Sequence, residues 1–352
     1  MSHARVVIVA PNWLGDAVMA LPAVADLRAH FAGATFAVAA RPQVAPLFDM
    51  VQGVDSVITL PGRGGVAVLT SWRADVAALT AGSFDTAVLL PNSFVSAFIA
   101  ARAAIGDRWG FATDWRGRYL TRAVPKARGL LHQSAYYQAL VSALGVTTGP
   151  RHARVIADRG QAEPVLHAAG IASGSPFVVL APGAAYGRAK QWLPERFAEL
   201  AGMVTAQLGW HVVLVGSKAD ASVCAEIAAR LPPSASRLPA VIDLSGRTDL
   251  HQLAGVLASS RAVVANDSGA MHLEGAVGAR VLAVFGATNE ARTSPLTSGP
   301  DAPSSTILTH EVFCRPCMLR ECPIDHRCMS GITAARVFAT LAQDLKTSVS
   351  NP

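Results

Sequence analysis

Charge is scarce in this chain: Asp, Glu, Lys and Arg make up 15% of its 352 residues and aromatic residues 6%, whereas hydrophobic residues reach 51%. That balance excludes an intrinsically disordered chain, which lacks the apolar surface to offset its lost entropy. No apolar run approaches the roughly 20 residues that a membrane span requires. The opening MSHARVVIVAPNWLGDAV interrupts its hydrophobic stretch at Pro11, Asn12 and Asp16, so neither a span nor a secretory leader is expected. The spacing G-x-x-x-x-G-K-[ST] is absent, which removes the P-loop. No D-x-D pair occurs either, so no obvious carboxylate pair could carry a Mg²⁺-diphosphate bridge, and metal dependence is expected to be weak.

The length favours two domains. The N-terminal half alternates strand-like runs (Val6 to Ala10, Thr35 to Ala40, Ser56 to Leu60, Asp85 to Leu90) with helix-like stretches at 17–31, 43–50, 71–80 and 93–104. The rhythm restarts after residue 160. Strands are expected at Phe177 to Ala181, His211 to Gly216, Val241 to Leu244, Ala262 to Ala265 and Val281 to Phe285, with helices at 194–208, 220–231, 249–258 and 270–277. Such alternation means βαβ units, hence an α/β fold with parallel sheets covered on both faces. The polar segment 147–160 separates the two series, giving expected domains 1–160 and 161–335, with a C-terminal helix and tail, 336–352, expected to pack back on the first.

Ligands bind beyond the carboxyl ends of such strands, so the loops there are the places to look. In PNWLGD, Gly15 permits a tight turn and Asp16 sits at or near a helix start, either as a plain cap or as a base for a substrate hydroxyl. PGAAYGRAKQWLPERF (182–197) can expose amides at Gly183 and Gly187 and adds Arg188 and Lys190, as a phosphate loop or a solvated turn. In ANDSGAMHLEGAVG, Ser268, Gly269 and Ala270 can present amides to an anion at the positive end of a helix. Asp267 would repel phosphate and so orients the loop or meets a sugar hydroxyl; His272 points back to the same place or merely caps. Asp220, after VGSK, is a ribose contact or a helix cap.

The net charge of +6 suggests an anionic partner. Seven cationic side chains (Arg102, Arg108, Arg116, Arg118, Arg122, Lys126, Arg128) face only Asp107 and Asp114 in one segment, with Trp109, Phe111 and Trp115 among them. A solvated loop, an acceptor-phosphate site, a nucleic-acid patch and a reversible attachment to an anionic membrane all fit. Near the C-terminus, CRPCMLRECPIDHRC gathers Cys314, Cys317, Cys322 and Cys328. Its C-x2-C start suits zinc, but the later spacing matches no standard finger, so reduced thiols are expected ahead of a metal.

Five segments together, PNWLGDAVMALPAVADLR, LLPNSFVSAFIA, APGAAYGRAKQWLPERFAEL, VVLVGSKAD and ANDSGAMHLEGAVGARVLAVFGATNEARTSPL, resemble the bacterial lipopolysaccharide heptosyltransferases of glycosyltransferase family 9, from residue 6 to about 298. The resemblance implies a GT-B fold, two Rossmann-like domains facing each other across a cleft, and an inverting transfer of heptose from ADP-heptose with no cofactor required. It implies Asp16 as general base and Lys190 on the diphosphate. The other donor contacts would be Gly183, Gly216, Ser217, Asp220, Asp267, Ser268, Gly269, Met271 and His272. The acceptor, a lipid A–Kdo–heptose glycolipid, would meet Asn12, Asn92, Ser93, Arg116, Arg118 and Arg122, at the cytoplasmic face of an anionic inner membrane and with no nucleic acid involved. Two alternatives stay open: another nucleotide-sugar transferase of the same family, and a non-catalytic nucleotide- or glycan-binding module.

Overall fold

The computed structural model describes residues 4–62, 68–231 and 239–349. The chain forms two compact units, Met1–Ile156 and Ala157–Pro352. In the first, β1 (Arg5–Val9), β2 (Thr35–Ala40), β3 (Ser56–Thr59), β4 (Thr86–Leu89), β5 (Asp107–Phe111) and β6 (Arg122–Val124) make one sheet in the order β3-β2-β1-β4-β5-β6. In the second, β7 (Phe177–Ala181), β8 (His211–Leu214), β9 (Val241–Asp243), β10 (Ala262–Asn266), β11 (Val281–Phe285) and β12 (Thr306–Thr309) run β12-β11-β10-β7-β8-β9. Every pairing is parallel. Counted from each unit's own first strand, both sheets share the doubly wound order 3-2-1-4-5-6.

The central strands read as uninterrupted apolar runs because helices bury both their faces. All five residues of β7, β10 and β11 are buried. Strand order reverses between β1 and β4 and between β7 and β10, which opens a crevice at the carboxyl ends of each pair. The loops singled out in the sequence leave those ends: Pro11–Asp16 after β1, Pro91–Ser93 after β4, Pro182–Lys190 after β7, and Asp267–Ser268 after β10.

Several elements differ from expectation for local reasons. The helix expected over 17–31 is two, Leu14–Met19 and Leu21–His30, which meet at Ala20 because Pro22 has no N–H to continue the ladder. The cationic segment is not one loop, since it holds β5, a 3₁₀ turn at Arg116–Tyr119 and the three-residue edge strand β6. β5 hides in the sequence because DRWGF starts polar, yet Trp109 and Phe111 are buried. In the C-terminal helix, Ala334–Val349, Val337 and Leu341 complete the second unit's core built on Trp192, Phe197 and Leu200. The indole of Trp192 donates to the Ile332 carbonyl at 2.8 Å, fixing that C-terminal segment to the end of the 182–192 loop.

One core position carries a carboxyl group. Glu274, in helix Gly269–Ala276, is fully buried and neither oxygen has a hydrogen-bond partner among the described residues. Burial pushes its pKa up to about 8, so it is protonated at neutral pH. The unfolded chain releases this proton near the ordinary carboxyl value and the folded chain keeps it until about 8, so folding stability falls as pH rises through that interval. Glu274→Gln is expected to remove a slope of up to about 1.4 kcal/mol per pH unit. Urea denaturation at pH 5 and pH 8 should show the variant gaining on the parent only at the higher pH.

Candidate active site

In the second unit, three loops converge on one carboxylate. Asp267, 4% exposed, accepts Lys190 Nζ at 2.7 Å and the Thr288 hydroxyl at 2.6 Å on the same oxygen, Oδ2. The lysine is itself mostly enclosed, at 14% exposure, so the pair is partly desolvated and stronger than a surface pair. The neighbouring Asn266 is fully buried and staples both ends of the 182–192 loop to β10: its Oδ1 accepts the Trp192 N–H at 2.9 Å and its Nδ2 donates to the Pro182 carbonyl at 2.7 Å. Ser268 caps helix Gly269–Ala276, its hydroxyl accepting the Met271 N–H. The amides of Gly269 and Ala270 stand in the first turn, where no intrahelical acceptor exists. A cation and a helix start thus lie together where β7 and β10 end, a combination suited to holding a diphosphate.

Other expected donor contacts have local roles in the fold. The Met271 side chain is wholly buried in the core and His272 nearly so. Asp220 caps a turn: its Oδ2 accepts the Ser217 N–H at 2.8 Å and the Ser217 hydroxyl at 2.7 Å. Gly183 and Gly216 are small so that this carboxylate can sit between their loops. A Cβ on Gly183 would stand 2.5 Å from Asp220 Cγ, and one on Gly216 would stand 2.7 Å from Asp220 Cβ.

In the first unit, Asp16 lies in the first turn of helix Leu14–Met19, two residues past its start rather than at the cap, which is Trp13. Its negative charge reaches Tyr137, a buried phenol whose pKa is raised first by burial and then by Asp16. Beside it, the Asn92 side chain donates to Tyr136 Oη at 2.7 Å, and its backbone carbonyl accepts the Thr113 hydroxyl at 3.0 Å. Ser93 caps helix Phe94–Arg102. A cavity of about 270 Å³ opens here, bordered by Asn12, Arg41, Ser93 and Ser96. Arg41 is held by the buried Asp75 at 2.8 Å. Tyr136, Tyr137 and Thr288 were missed from sequence, because a Tyr-Tyr pair inside a helical stripe and a lone Thr after a strand carry no local signal.

Arg116, expected at the acceptor, is fully buried and donates to the carbonyls of Phe111 at 2.8 Å, Pro91 and Ser93 and to Ser96 Oγ at 3.2 Å, while its Nη2 has no hydrogen-bond partner among the described residues. Burial lowers its pKa to about 10. Arg118 and Arg122 remain exposed; Arg118 lies over the rings of Phe94 and Tyr119, while Arg122 pairs with Asp107 and lies over Trp109. The five cysteines are free thiols, and among the described residues no three His, Cys, Asp or Glu side chains are arranged to hold a metal. Burial and the neighbouring Cys317, Cys314 and Cys322 raise the pKa of Cys328. A cavity of about 730 Å³ lies at the amino end of β7, away from these loops, beside helix Glu163–Ala168 and the carbonyl end of helix Leu250–Ser259.

Two doubly wound units, the second carrying a cation beside a capped helix start at its switch point, place the chain among two-domain α/β proteins built to bind ligands at strand carboxyl ends. The model of glycosyltransferase family 9 (heptosyltransferase) matches residues 72–327, and the chain belongs to that family. Lipooligosaccharide heptosyltransferase 2 of Haemophilus influenzae is 30% identical over 309 residues, 83% of this chain and 86% of that protein. Lipopolysaccharide heptosyltransferase 2 of Salmonella typhimurium is 29% identical over 306 residues, with the same shares covered. The solved structure of Escherichia coli ADP-heptose LPS heptosyltransferase II superposes with a TM-score of 0.82 at 25% identity, covering 98% of this chain and 99% of that one. The fold is thus that of the GT-B heptosyltransferases, and the protein is a heptosyltransferase enzyme. No described helix is long and apolar enough to cross a membrane.

The buried guanidinium yields a test. Arg116→Leu is expected to cost about 2–4 kcal/mol of stability, because three backbone carbonyls lose their donor. Arg118→Ala, at an exposed site, should stay within about 0.5 kcal/mol in the same urea titration.

Proposed function

We propose that the protein moves L-glycero-D-manno-heptose from ADP-heptose to the heptosyl-Kdo2-lipid A inner core of lipopolysaccharide, inverting the anomeric carbon, as a type II heptosyltransferase. The observation that carries this reading is the Lys190–Asp267–Thr288 cluster beside the start of helix Gly269–Ala276, in a chain whose relatives across 83% of its length are named heptosyltransferase 2. An acceptor hydroxyl attacks the heptose C1 in line while ADP departs. Negative charge grows on the leaving diphosphate, so fixed positive groups there favour the transition state over the ground state. Lys190 and the amides of Gly269 and Ala270 supply that charge on this reading, with no metal called for.

Asp16 takes the proton from the attacking hydroxyl. An ordinary carboxylate suffices for this if the hydroxyl comes within hydrogen-bond reach, and the step is worth about 10² to 10⁴ in rate. Exposed Arg118, Arg122, Lys126 and Arg128 suit an acceptor bearing phosphates and carboxylates, and suit the anionic face of the membrane in which that lipid sits.

Asp16→Asn is expected to lower kcat by at least about 100-fold while ADP affinity holds. Lys190→Ala should instead weaken ADP about tenfold, the loss of one charge-assisted contact. Mass analysis of the product from ADP-heptose and heptosyl-Kdo2-lipid A checks the substrate pair: no mass gain of one heptose would overturn the assignment, and full turnover by Asp16→Asn would remove the base.

A further inference from the structure

The Lys190–Asp267 pair is built by two loops, and a further segment grips the lysine loop and the loop whose Thr288 holds Asp267. Cys314–Cys328 meets the lysine loop at three points. The Tyr186 hydroxyl donates to the Met318 carbonyl at 2.9 Å, the Ala189 N–H donates to the Arg320 carbonyl at 2.9 Å, and His326 Nε2 lies 3.0 Å from the Ala189 carbonyl. The approach is so close that a Cβ on Gly187 would stand 2.3 Å from the Arg320 carbonyl oxygen. On its other side the same segment is tied to the loop after β11. The Met318 N–H donates to the Ala287 carbonyl at 2.8 Å and Arg315 Nε to the Gly286 carbonyl at 2.9 Å. Arg315 also pairs with Glu290 at 2.5 Å and Glu311 at 2.7 Å. Ala287 precedes Thr288, whose hydroxyl holds Asp267.

Two cations lie over the Tyr186 ring. Lys190 Nζ is 4.9 Å from its centroid and the Arg320 guanidinium carbon 5.2 Å. A ring face attracts a cation through its quadrupole, more so when the cation is partly removed from water, as Lys190 is. A lysine side chain otherwise has several rotamers open to it, and each one it must give up on meeting an anion weakens binding.

We propose that Cys314–Cys328 is a clamp on the lysine loop and that Tyr186 is the positioning residue through which it holds the Lys190 ammonium ready for a nucleoside diphosphate. This rests on the reading of Lys190 as the diphosphate contact. The cysteine-bearing segment thus has a steric and electrostatic task, setting the separation of a cation and its counter-ion.

The test is a double-mutant cycle read by titration calorimetry with ADP, each variant's melting temperature being recorded alongside. Tyr186→Leu keeps bulk but loses the ring face and should weaken ADP about fivefold. Tyr186→Phe keeps the face, loses only the hydroxyl, and should stay within about twofold. Tyr186→Leu in a Lys190→Ala background should add nothing, because the ring acts only through the ammonium. Gly187→Ala, which pushes the Arg320 carbonyl away, should repeat that pattern and serves if Tyr186→Leu melts early. Unchanged ADP affinity in both Tyr186→Leu and Gly187→Ala, or a full effect persisting without Lys190, overturns the clamp alone. Unchanged affinity in Lys190→Ala overturns the reading of the lysine beneath it.

Discussion

A single carboxylate oxygen, Asp267 Oδ2, constrains the second unit more than any other atom. It is buried, and a buried charge persists only when a counter-charge and hydrogen bonds replace the water it lost. Lys190 and Thr288 do so from two different loops. The ends of β7, β10 and β11 are thereby fixed to one another, and Asn266 adds a neutral bridge from β10 to Pro182 and Trp192. The consequence for chemistry is that the ammonium is not a free surface charge. An incoming diphosphate, on the proposed reading, meets a lysine already placed and already partly neutralised, which trades raw attraction for defined geometry.

The first unit solves a similar problem with a buried cation. Arg116 draws the carbonyls after β4 and β5 onto one guanidinium, and Tyr136 and Asn92 continue the network toward the helix that carries Asp16. This divides the cationic segment by function: one arginine is structural and turned inward, while Arg118 and Arg122 stay at the surface on aromatic faces. Composition could count these charges but could not sort them, because burial of Arg116 depends on carbonyls contributed by residues up to 25 positions away.

Legibility followed the range of the interactions. β1, β7, β10 and β11 could be read directly, since a strand covered on both faces needs an unbroken apolar run. β5 and β6 could not, because one begins with charged residues and the other is a three-residue edge whose pairing comes from its neighbour. The split of the first long helix was written in Pro22 and overlooked. In the loops, Lys190 and Asp267 were both visible, but their 2.7 Å contact was not, as 77 residues separate them in the chain. Asp220 shows the opposite case: its hydrogen-bond partner Ser217 lies three residues away, so that contact can be read locally.

The sequence by itself determined the alternation of strand and helix, the restart after residue 160 and the loops where chemistry would gather, because periodicity and capping act over a few residues. Only the tertiary structure decided which charges pair and which are buried. It turned Arg116 inward, gave Lys190 its counter-ion, and set the cysteine-bearing segment against the lysine loop. Those outcomes depend on desolvation and on contacts between distant strands' ends, which exist only once the sheets have formed.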